Sequence, residues 1–297
     1  MTPAERGTAL SAMPSSPRMR PLARCCALAA LALLAACQNP APRRAAPSIS
    51  PEEVGEFRKG SGILNGYLKP EQYPDSLALL PPPPAEGSAQ ANADIQQHRQ
   101  AQALLQTHRG TVAAQDAVLT YPTMVETFSC ALDLPLGTDA TPHLNMLLRR
   151  SMLDAALATY RAKDHYNRKR PFAALGSNTC RPADEARLAK DGSYPSGHSA
   201  LGWATGQVLA SLSPERSDAL LQRGYAFGQS RMVCGVHWQS DVDAGRLIGA
   251  ATLARLQSDP VFTAQAELAR QEIELARAKG LKSRRTDCAA EAAAIKP

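Results

Sequence analysis

The most regular apolar spacing in the chain follows Thr141-Pro142 and extends for about five helical turns. Threonine is a favoured N-cap residue and proline is favoured at the first helical position, so a helix is predicted to begin here. Apolar side chains then recur every three or four residues, at Leu144, Leu147, Leu148, Met152, Leu153, Leu157 and Tyr160. We expect this helix to bury one face and to end in the segment from Lys163 to Arg170.

Helical patterns continue through most of the chain up to Gly280, a natural stop. They are predicted over residues 92–109, 111–119, 199–212, 214–229, 240–257 and 260–279. No apolar and polar alternation of strand length occurs. The predicted fold is therefore all-α, a helical bundle-like single domain that spans residues 91–280.

The segments that flank this domain lack a regular apolar period. Residues 51–90 carry scattered glycines and a run of four prolines, which predicts an irregular Pro-rich arm or, alternatively, a Pro-rich ligand for another domain. The Ala/Pro-rich residues 37–50 predict a flexible tether. Residues 281–297 predict a C-terminal tail that frays unless Cys288 pins it.

The N-terminus has the pattern of an export signal. Arginines at positions 18, 20 and 24 precede an apolar run, residues 25–36, that is too short to span a bilayer. We interpret residues 1–36 as a lipoprotein signal peptide, with Met13 and Met19 as alternative starts. Leu34-Ala35-Ala36-Cys37 resembles a bacterial lipobox, which implies that Cys37 carries lipid. Ordinary cleavage with a soluble product is the alternative, and both interpretations export the chain. The expected location is the periplasm, as a lipoprotein anchored to the outer membrane.

Removal of the signal segment changes the charge argument. The whole chain has a net charge of +6, and residues 1–36 hold four basic residues and one acidic residue, which leaves +3. Binding of a nucleic-acid duplex requires a clustered basic face, which this small surplus does not indicate. A local anion pocket remains compatible with it.

Three short segments carry candidate chemistry. In the last of them His237 and Asp241 are four residues apart, so the carboxylate can hold one imidazole nitrogen and leave the other free to act as a nucleophile or base. Arg231 adds a planar donor fork suited to phosphate or carboxylate. Taken alone, the segment is equally compatible with a helix end that carries a solvated ion pair.

The two upstream segments favour the chemical interpretation. Pro195-Ser196-Gly197-His198 opens a helical run, so its backbone N–H groups are expected at a helix N-terminus, where they face an anion. Lys163 and Arg170 are seven residues apart, which predicts two cations on one face of a helix that Pro171 ends.

In order, the three segments read Lys163-x6-Arg170-Pro171, Pro195-Ser196-Gly197-His198 and Ser230-Arg231-x5-His237-x3-Asp241. This set resembles the type 2 phosphatidic acid phosphatase superfamily, which includes the vanadium haloperoxidases. Within it the chain is most similar to the class A non-specific acid phosphatases of bacteria. Every motif position matches. The Leu79-Leu80-Pro81 to Pro84 stretch is also similar to one in class A, which favours a structural arm.

The resemblance implies an enzyme that hydrolyses phosphate monoesters over a broad range through a phosphohistidine. His237 would be the nucleophile, Asp241 its orienting carboxylate and His198 the acid for the leaving oxygen. Phosphate would be bound by Lys163, Arg170, Ser196, Gly197 and Arg231. These cations neutralise the phosphoryl oxygens, so no metal or other cofactor is expected, and vanadate is expected to inhibit. Nucleotides as substrates and a homodimer are left open.

Four cysteines remain beyond Cys25, Cys26 and Cys37, an even number in an oxidising compartment, with three possible connectivities. If the motif segments converge on one pocket, Cys180 and Cys234 are brought close together. We therefore favour that disulfide, with Cys130–Cys288 as the second pair. A metal site is the alternative, but the usual ligand spacings are missing.

Three other functions compete. A membrane-lipid phosphatase of the same superfamily would carry several apolar spans of about 20 residues, and the sequence after residue 36 contains none. A vanadate-dependent haloperoxidase would share the phosphate cage. A surface lipoprotein without activity would not need the complete motif set. The remaining histidines, at positions 98, 108, 143 and 165, are interpreted as surface or structural.

Overall fold

The computed structural model describes residues 46–137 and 139–296, and in this part of the chain helices dominate. The predicted signal peptide and Cys37 lie outside these residues. The helices are α1 Pro51–Val54, α2 Ser76–Leu79, α3 Ala89–Gln102, α4 His108–Asp116, α5 Thr123–Glu126, α6 Ser129–Leu132, α7 Pro142–Leu157, α8 Tyr160–Tyr166, α9 Pro171–Leu175, α10 Glu185–Leu188, α11 Gly197–Leu212, α12 Ser217–Val233, α13 Gln239–Leu256, α14 Pro260–Ala278 and α15 Cys288–Ala294. Short 3₁₀ turns lie at Pro70–Gln72, Pro182–Asp184 and Pro214–Arg216.

No strand forms among the described residues, where a single isolated bridge joins Glu56 and Leu64. The all-α prediction is confirmed. None of the described helices combines the length and apolar character that a membrane span requires.

Helix α11 lies at the centre and packs against α7, α12 and α13. Glycines allow these helices to approach closely. A Cβ at Gly206 of α11 would lie 2.9 Å from the carbonyl oxygen of Leu220, and one at Gly224 of α12 would lie 2.8 Å from that of Gly202. A Cβ at Gly245 of α13 would likewise lie 2.9 Å from the Cβ of Ser199. The N-terminus of α11 is thus held directly against α13.

The main core fills the space between these long helices and includes Leu144, Leu147, Met152, Leu209, Phe227 and Ile273. The predicted start of α7 is confirmed, with Thr141 as N-cap and Pro142 at the first position. The helix predicted over 260–279 is α14, and Asp259 caps it by accepting from the backbone N–H groups of Val261 and Phe262.

The helix predicted from Thr141 into the segment from Lys163 to Arg170 is divided, because α7 ends at Leu157 and α8 begins at Tyr160. Two other helix predictions are wrong in their limits. The segment 92–109 is not continuous, because α3 ends at Gln102 and Thr107 caps a new helix, α4, through a bond from the N–H of Arg109. The segment predicted over 214–229 begins instead with a 3₁₀ turn, and α12 continues to Val233. At Thr107 a local capping residue overrides the apolar period.

The Pro-rich arm is packed onto the helical domain. Asp154 of α7 accepts hydrogen bonds from the backbone N–H groups of Tyr67 (2.8 Å) and Leu68 (3.3 Å). Further along, the hydroxyl of Tyr194 donates to the carbonyl oxygen of Pro81 at 2.9 Å. The arm therefore supports the loop that precedes α11.

Two disulfides join distant segments. Cys180 pairs with Cys234, which links the loop after α9 to the C-terminal end of α12. Cys130 pairs with Cys288 and fixes α15 against α6. These are the pairings favoured from the sequence, and the segment 281–296 contains a helix where a frayed tail was the alternative.

Candidate active site

The three motif segments meet at the N-terminal ends of α11 and α13, where hydrogen bonds join them. The Nζ of Lys163, on α8, donates to the carbonyl oxygens of Gly192 (2.8 Å) and Pro195 (2.9 Å). The backbone N–H of Ser196 donates to the carbonyl oxygen of Asp241 at 2.9 Å. Residues up to 78 positions apart in the sequence are thus brought into one buried cluster.

His237 and Asp241 form a buried pair at the start of α13. His237 lies just before the helix and Asp241 is its third residue, so the carboxylate caps the helix by accepting from the N–H of Trp238 at 2.8 Å. The same oxygen, Oδ2, lies 3.4 Å from Nδ1 of His237. On the other side of the ring, Nε2 lies 3.0 Å from Nη1 of Arg170. Because a guanidinium can only donate, these partners assign the proton to Nδ1 and a lone pair to Nε2.

Electrostatics keep His237 unprotonated. Burial lowers the pKa of His237 well below its usual value, and the positive charges of Arg170, Lys163 and Arg231 lower it further. Burial also raises the pKa of Asp241, although Arg168 beside it acts in the opposite direction. A histidine in this position remains neutral, with a lone pair on Nε2, at pH values where an exposed imidazole would be protonated.

Arg231 has buried N–H groups that are not used in hydrogen bonds to the described part of the protein. It lies in the last turn of α12, is 3% exposed, and its Nε and Nη1 atoms are buried without a protein hydrogen-bond partner among the described residues. Burial is the largest cause that lowers its pKa, to about 9, followed by the charge of Arg170. Unpaired buried cationic donors are costly, and they are expected where an anion is to be bound.

The sequence predicted that Lys163 and Arg170 lie on one face of a helix, and this prediction is wrong. Helix α8 ends at Tyr166, Asn167 adopts a left-handed conformation with φ of 41°, and Arg170 is extended. Pro171 does not end that helix but begins α9, because its fixed φ suits the first helical position and forces the preceding residue out of the α region.

Every N–H of Arg170 has a protein acceptor in this structure. Its three nitrogens donate to a ring of groups around it: the carbonyl oxygens of Leu188, Asp191, Gly192 and Val236, the Asp191 carboxylate, and Nε2 of His237. Arg170 thus caps the nucleophilic nitrogen. Nε2 of His237 becomes accessible to a ligand only when Nη1 of Arg170 moves away from it.

Lys163 is buried as deeply, and its pKa is lowered to about 8, first by burial and then by the charge of Arg170. Its two carbonyl bonds leave one ammonium hydrogen for a ligand. The cation cage therefore contains one guanidinium with free donors, one engaged guanidinium and one partly engaged ammonium.

The N-terminus of α11 supplies neutral donors. Ser196 is its N-cap, and its hydroxyl accepts from the N–H of Ser199 at 3.2 Å. Gly197 and His198 are the first two helical residues, whose N–H groups have no partner within the helix. A Cβ at Gly197 would make only ordinary contacts, the nearest at 3.5 Å to Thr159 Oγ1. The protein fold itself therefore does not require glycine at this position.

His198 faces the same pocket. Its ring lies nearly parallel to that of Phe227, and a hydrogen bond with the backbone of Ala117 holds it. The Nε2 atom is buried and has no hydrogen-bond partner in the part of the chain that the structure describes. Burial, followed by the charge of Arg231, lowers the pKa of His198 well below its usual value. An anionic ligand beside Nε2 would raise that pKa again.

Sequence reasoning missed two residues that contact this cluster. Nη1 of Arg168 donates to the second carboxylate oxygen of Asp241 at 2.6 Å, and Nη2 donates to Asp94 at 2.8 Å. Asp94 lies on α3, far from the motifs in sequence, and Arg168 lies between two motif residues. No spacing pattern marks either of them.

A metal site was the alternative interpretation of the cysteines near the motifs. Within residues 46–137 and 139–296, no three or more His, Cys, Asp or Glu side chains are grouped so that they could hold a metal ion. The disulfide Cys180–Cys234 lies directly beside the cluster, since Cys234 follows α12 and precedes His237 by three residues.

Comparison with known proteins identifies the family. The model of the PAP2 superfamily matches residues 143–260. The non-specific acid phosphatase of Providencia stuartii is 46% identical over 207 residues, which cover 69% of this chain and 84% of that protein. The non-specific acid phosphatase of Salmonella typhi is 40% identical over 214 residues, 72% of this chain and 86% of that protein. The acid phosphatase of Zymomonas mobilis is 40% identical over 205 residues, 69% of this chain and 78% of that protein. The chain therefore belongs to the PAP2 superfamily and, within it, to the bacterial acid phosphatases that it matches.

Proposed function

We propose that this acid phosphatase hydrolyses phosphate monoesters by transferring the phosphoryl group to His237. The observation that carries the proposal is the buried guanidinium of Arg231, which has unpartnered N–H groups in the same pocket as His237 and His198. A phosphoryl group satisfies these donors, and its transfer needs cationic donors, an in-line nucleophile and an acid.

In the first step, Nε2 of His237 attacks phosphorus. The P–N bond forms as the P–O bond to the leaving group breaks, and His198 donates its proton to the departing oxygen. Asp241 accepts from Nδ1–H and stabilises the positive charge that develops on the imidazole. Arg231, Lys163 and the N–H groups at the start of α11 bind the phosphoryl oxygens.

In the second step, water attacks phosphorus and the P–N bond breaks. His198, now neutral, accepts a proton from the water, and inorganic phosphate leaves with the enzyme restored. The depressed pKa of His198 suits this role as a base, while the negative charge of the bound phosphoryl group raises it for the first step.

The same charges support activity at acidic pH. His237 has to be neutral to attack, and its low pKa keeps it neutral where an ordinary histidine is protonated. The three cations neutralise the phosphoryl oxygens, which supports hydrolysis without a metal ion. Export, attachment through Cys37, class A membership and a broad substrate range rest on the sequence and are part of the proposal.

A panel of phosphate monoesters tests the function. We expect phosphate release from aryl, alkyl and nucleoside monoesters, with no loss in the presence of a chelator and with inhibition by vanadate. Loss of activity in chelator that a divalent ion restores would overturn metal independence. Oxidation of halide by added hydrogen peroxide in the presence of vanadate, without release of phosphate from the monoesters, would instead identify a haloperoxidase.

A further inference from the structure

The guanidinium of Arg168, whose side chain is 13% exposed, contacts the His237–Asp241 pair through Asp241. Nη1 of Arg168 donates to Oδ1 of Asp241 at 2.6 Å and to the hydroxyl of Ser240 at 2.7 Å. Its Nη2 donates to Oδ2 of Asp94 at 2.8 Å. The guanidinium also lies 5.3 Å from the ring centre of Trp238. Arg168 therefore contacts Ser240 and Asp241 in the first turn of α13, and the N-cap residue Trp238. These contacts determine the orientation of the Asp241 carboxylate.

Asp94 fixes this arginine from α3. Its side chain is 1% exposed and accepts from Nη2 of Arg168, and it also accepts from the backbone N–H of Ser240 at 3.0 Å and from the Ser240 hydroxyl at 2.5 Å. One carboxylate thus holds both Arg168 and the first turn of α13. A chain of polar contacts extends from Asp94 through Arg168 and Asp241 to Nδ1 of His237.

Taking the proposed function as its basis, we infer that Arg168, held in place by Asp94, is a positioning residue for the His237–Asp241 pair. Arg168 donates a hydrogen bond to Oδ1 of Asp241 and so keeps the carboxylate ionised. Oδ2 then remains directed at the N–H of Trp238 and at Nδ1 of His237. The side chain of Arg168 has no hydrogen bond to Lys163, Arg170, Arg231 or His198.

The physical reason is the cost of an isolated buried carboxylate. Asp241 is fully buried, and burial alone favours its protonated form. The charged groups that face it are Arg168, Lys163, Arg170 and, when protonated or phosphorylated, His237, with Asp94 beyond Arg168. Of these, Arg168 alone donates to the carboxylate through a hydrogen-bonded ion pair shorter than 3 Å among the described residues. A carboxylate that acquired a proton could no longer stabilise the imidazolium of the phosphoenzyme.

The variants Arg168→Met, Arg168→Lys and Asp94→Asn test this role. A matched control is Arg246→Met, because Arg246 is a residue of α13, stacks on an aromatic ring, pairs with an aspartate and has a side chain 11% exposed, against 13% for Arg168. Arg246 has no bond to Asp241 or His237. Each variant is assayed for kcat and KM on one aryl monoester as a function of pH, and its thermal unfolding is recorded.

For Arg168→Met we expect kcat to fall about 10- to 100-fold, because one charge-assisted hydrogen bond to Asp241 is lost. KM should change less than about threefold. The deficit should be largest at acidic pH and shrink as pH rises, because the pKa of Asp241 moves upward and its ionised fraction recovers at higher pH. Arg168→Lys should recover part of kcat, Asp94→Asn should show a smaller shift of the acidic limb in the same direction, and Arg246→Met should keep the wild-type pH profile.

The inference is wrong if Arg168→Met and Asp94→Asn keep the wild-type pH profile, or if they lose the same factor at every pH, which a purely structural role would produce. Should Arg168→Met fail to fold, Arg168→Lys and Asp94→Asn decide the question by the same criterion. Failure of the proposed function is separate, because in that case the wild-type chain and Arg246→Met release no phosphate either.

Discussion

Substitution of Arg231 by methionine should strongly lower kcat/KM and at the same time increase the free energy of unfolding. The guanidinium is 3% exposed, and two of its nitrogens lack protein partners. Burial lowers its pKa from the usual value of an arginine to about 9, which corresponds to a cost of about 5 kcal/mol for the charged form in the folded state. Since a depressed pKa of a base penalises the folded state at every pH below the folded value, the whole cost is present at acidic and neutral pH.

Methionine removes the charge and keeps most of the side-chain volume. Relaxation of the protein takes back part of the cost, so we expect the free energy of unfolding to increase by about 1–4 kcal/mol. In a domain of this size the melting temperature should rise by about 2–4 °C for each kcal/mol. At the same time kcat/KM should fall about 10²- to 10⁴-fold, because two charge-assisted hydrogen bonds to the phosphoryl group are lost.

Arg223→Met is the matched control, because Arg223 is buried in the same helix but fully engaged. It pairs with Asp116 through both Nη atoms and donates from Nε to the carbonyl oxygen of Thr127 at 3.0 Å. Its loss leaves the Asp116 carboxylate without this partner, and we expect a destabilisation of about 3–5 kcal/mol. The two arginines should therefore change stability in opposite directions.

Thermal and denaturant unfolding with and without inorganic phosphate measure both effects. Phosphate at a hundredfold excess over its Kd should stabilise the wild-type protein by about 2.7 kcal/mol and Arg231→Met by much less. If Arg231→Met is destabilised like Arg223→Met, or still gains the wild-type stabilisation from phosphate, the guanidinium is a structural group and the anion cage is wrongly assigned.

Two further predictions concern the arm and the N-terminus. Asp154 is fully buried and its pKa is raised to about 7, mainly by burial, so the folded state retains a proton that the unfolded state loses near pH 4. The stability of the wild-type protein relative to Asp154→Asn should therefore fall by up to about 4 kcal/mol between pH 4 and pH 7, as measured by denaturant unfolding, and a difference independent of pH would contradict the assignment. Cys37→Ala should abolish lipid attachment and release the protein from membranes, as measured by fractionation and mass spectrometry of the N-terminus; a wild-type protein found only in the soluble fraction with an unmodified N-terminus would refute the anchor.

The sequence predicted the local structure of the candidate site better than its tertiary surroundings. The spacing of His237 and Asp241, and the turn residues before His198, are local features, and local features determine a cap and a helix N-terminus. The apolar stripe of α7 and the caps at Thr141 and Asp259 were equally readable, because periodicity and capping act over a few residues.

What the sequence did not reveal depends on tertiary contacts or on competing local signals. The seven-residue spacing of Lys163 and Arg170 suggested one helix face, but the left-handed Asn167 and the helix-starting Pro171 place Arg170 in an extended segment. Its donors are then taken up by loop carbonyls that no spacing rule connects to it. Asp94 of α3 contacts Arg168, 74 positions away, and Ser240 of α13, 146 positions away, so only the folded structure shows these contacts.

The phosphorylation site itself is the most direct test of the mechanism. His198→Ala enzyme is mixed with a nitrophenyl phosphate, whose leaving group departs without much help from an acid, and is quenched in alkaline denaturant to preserve the acid-labile P–N bond. We predict stoichiometric phosphate on His237, located by mass spectrometry of peptides. His237→Ala should trap none, and an alkyl monoester should react about 10²- to 10⁴-fold more slowly with His198→Ala than with the wild-type enzyme. Phosphate trapped by His237→Ala, or equal losses of aryl and alkyl hydrolysis in His198→Ala, would contradict the assignment of nucleophile and acid.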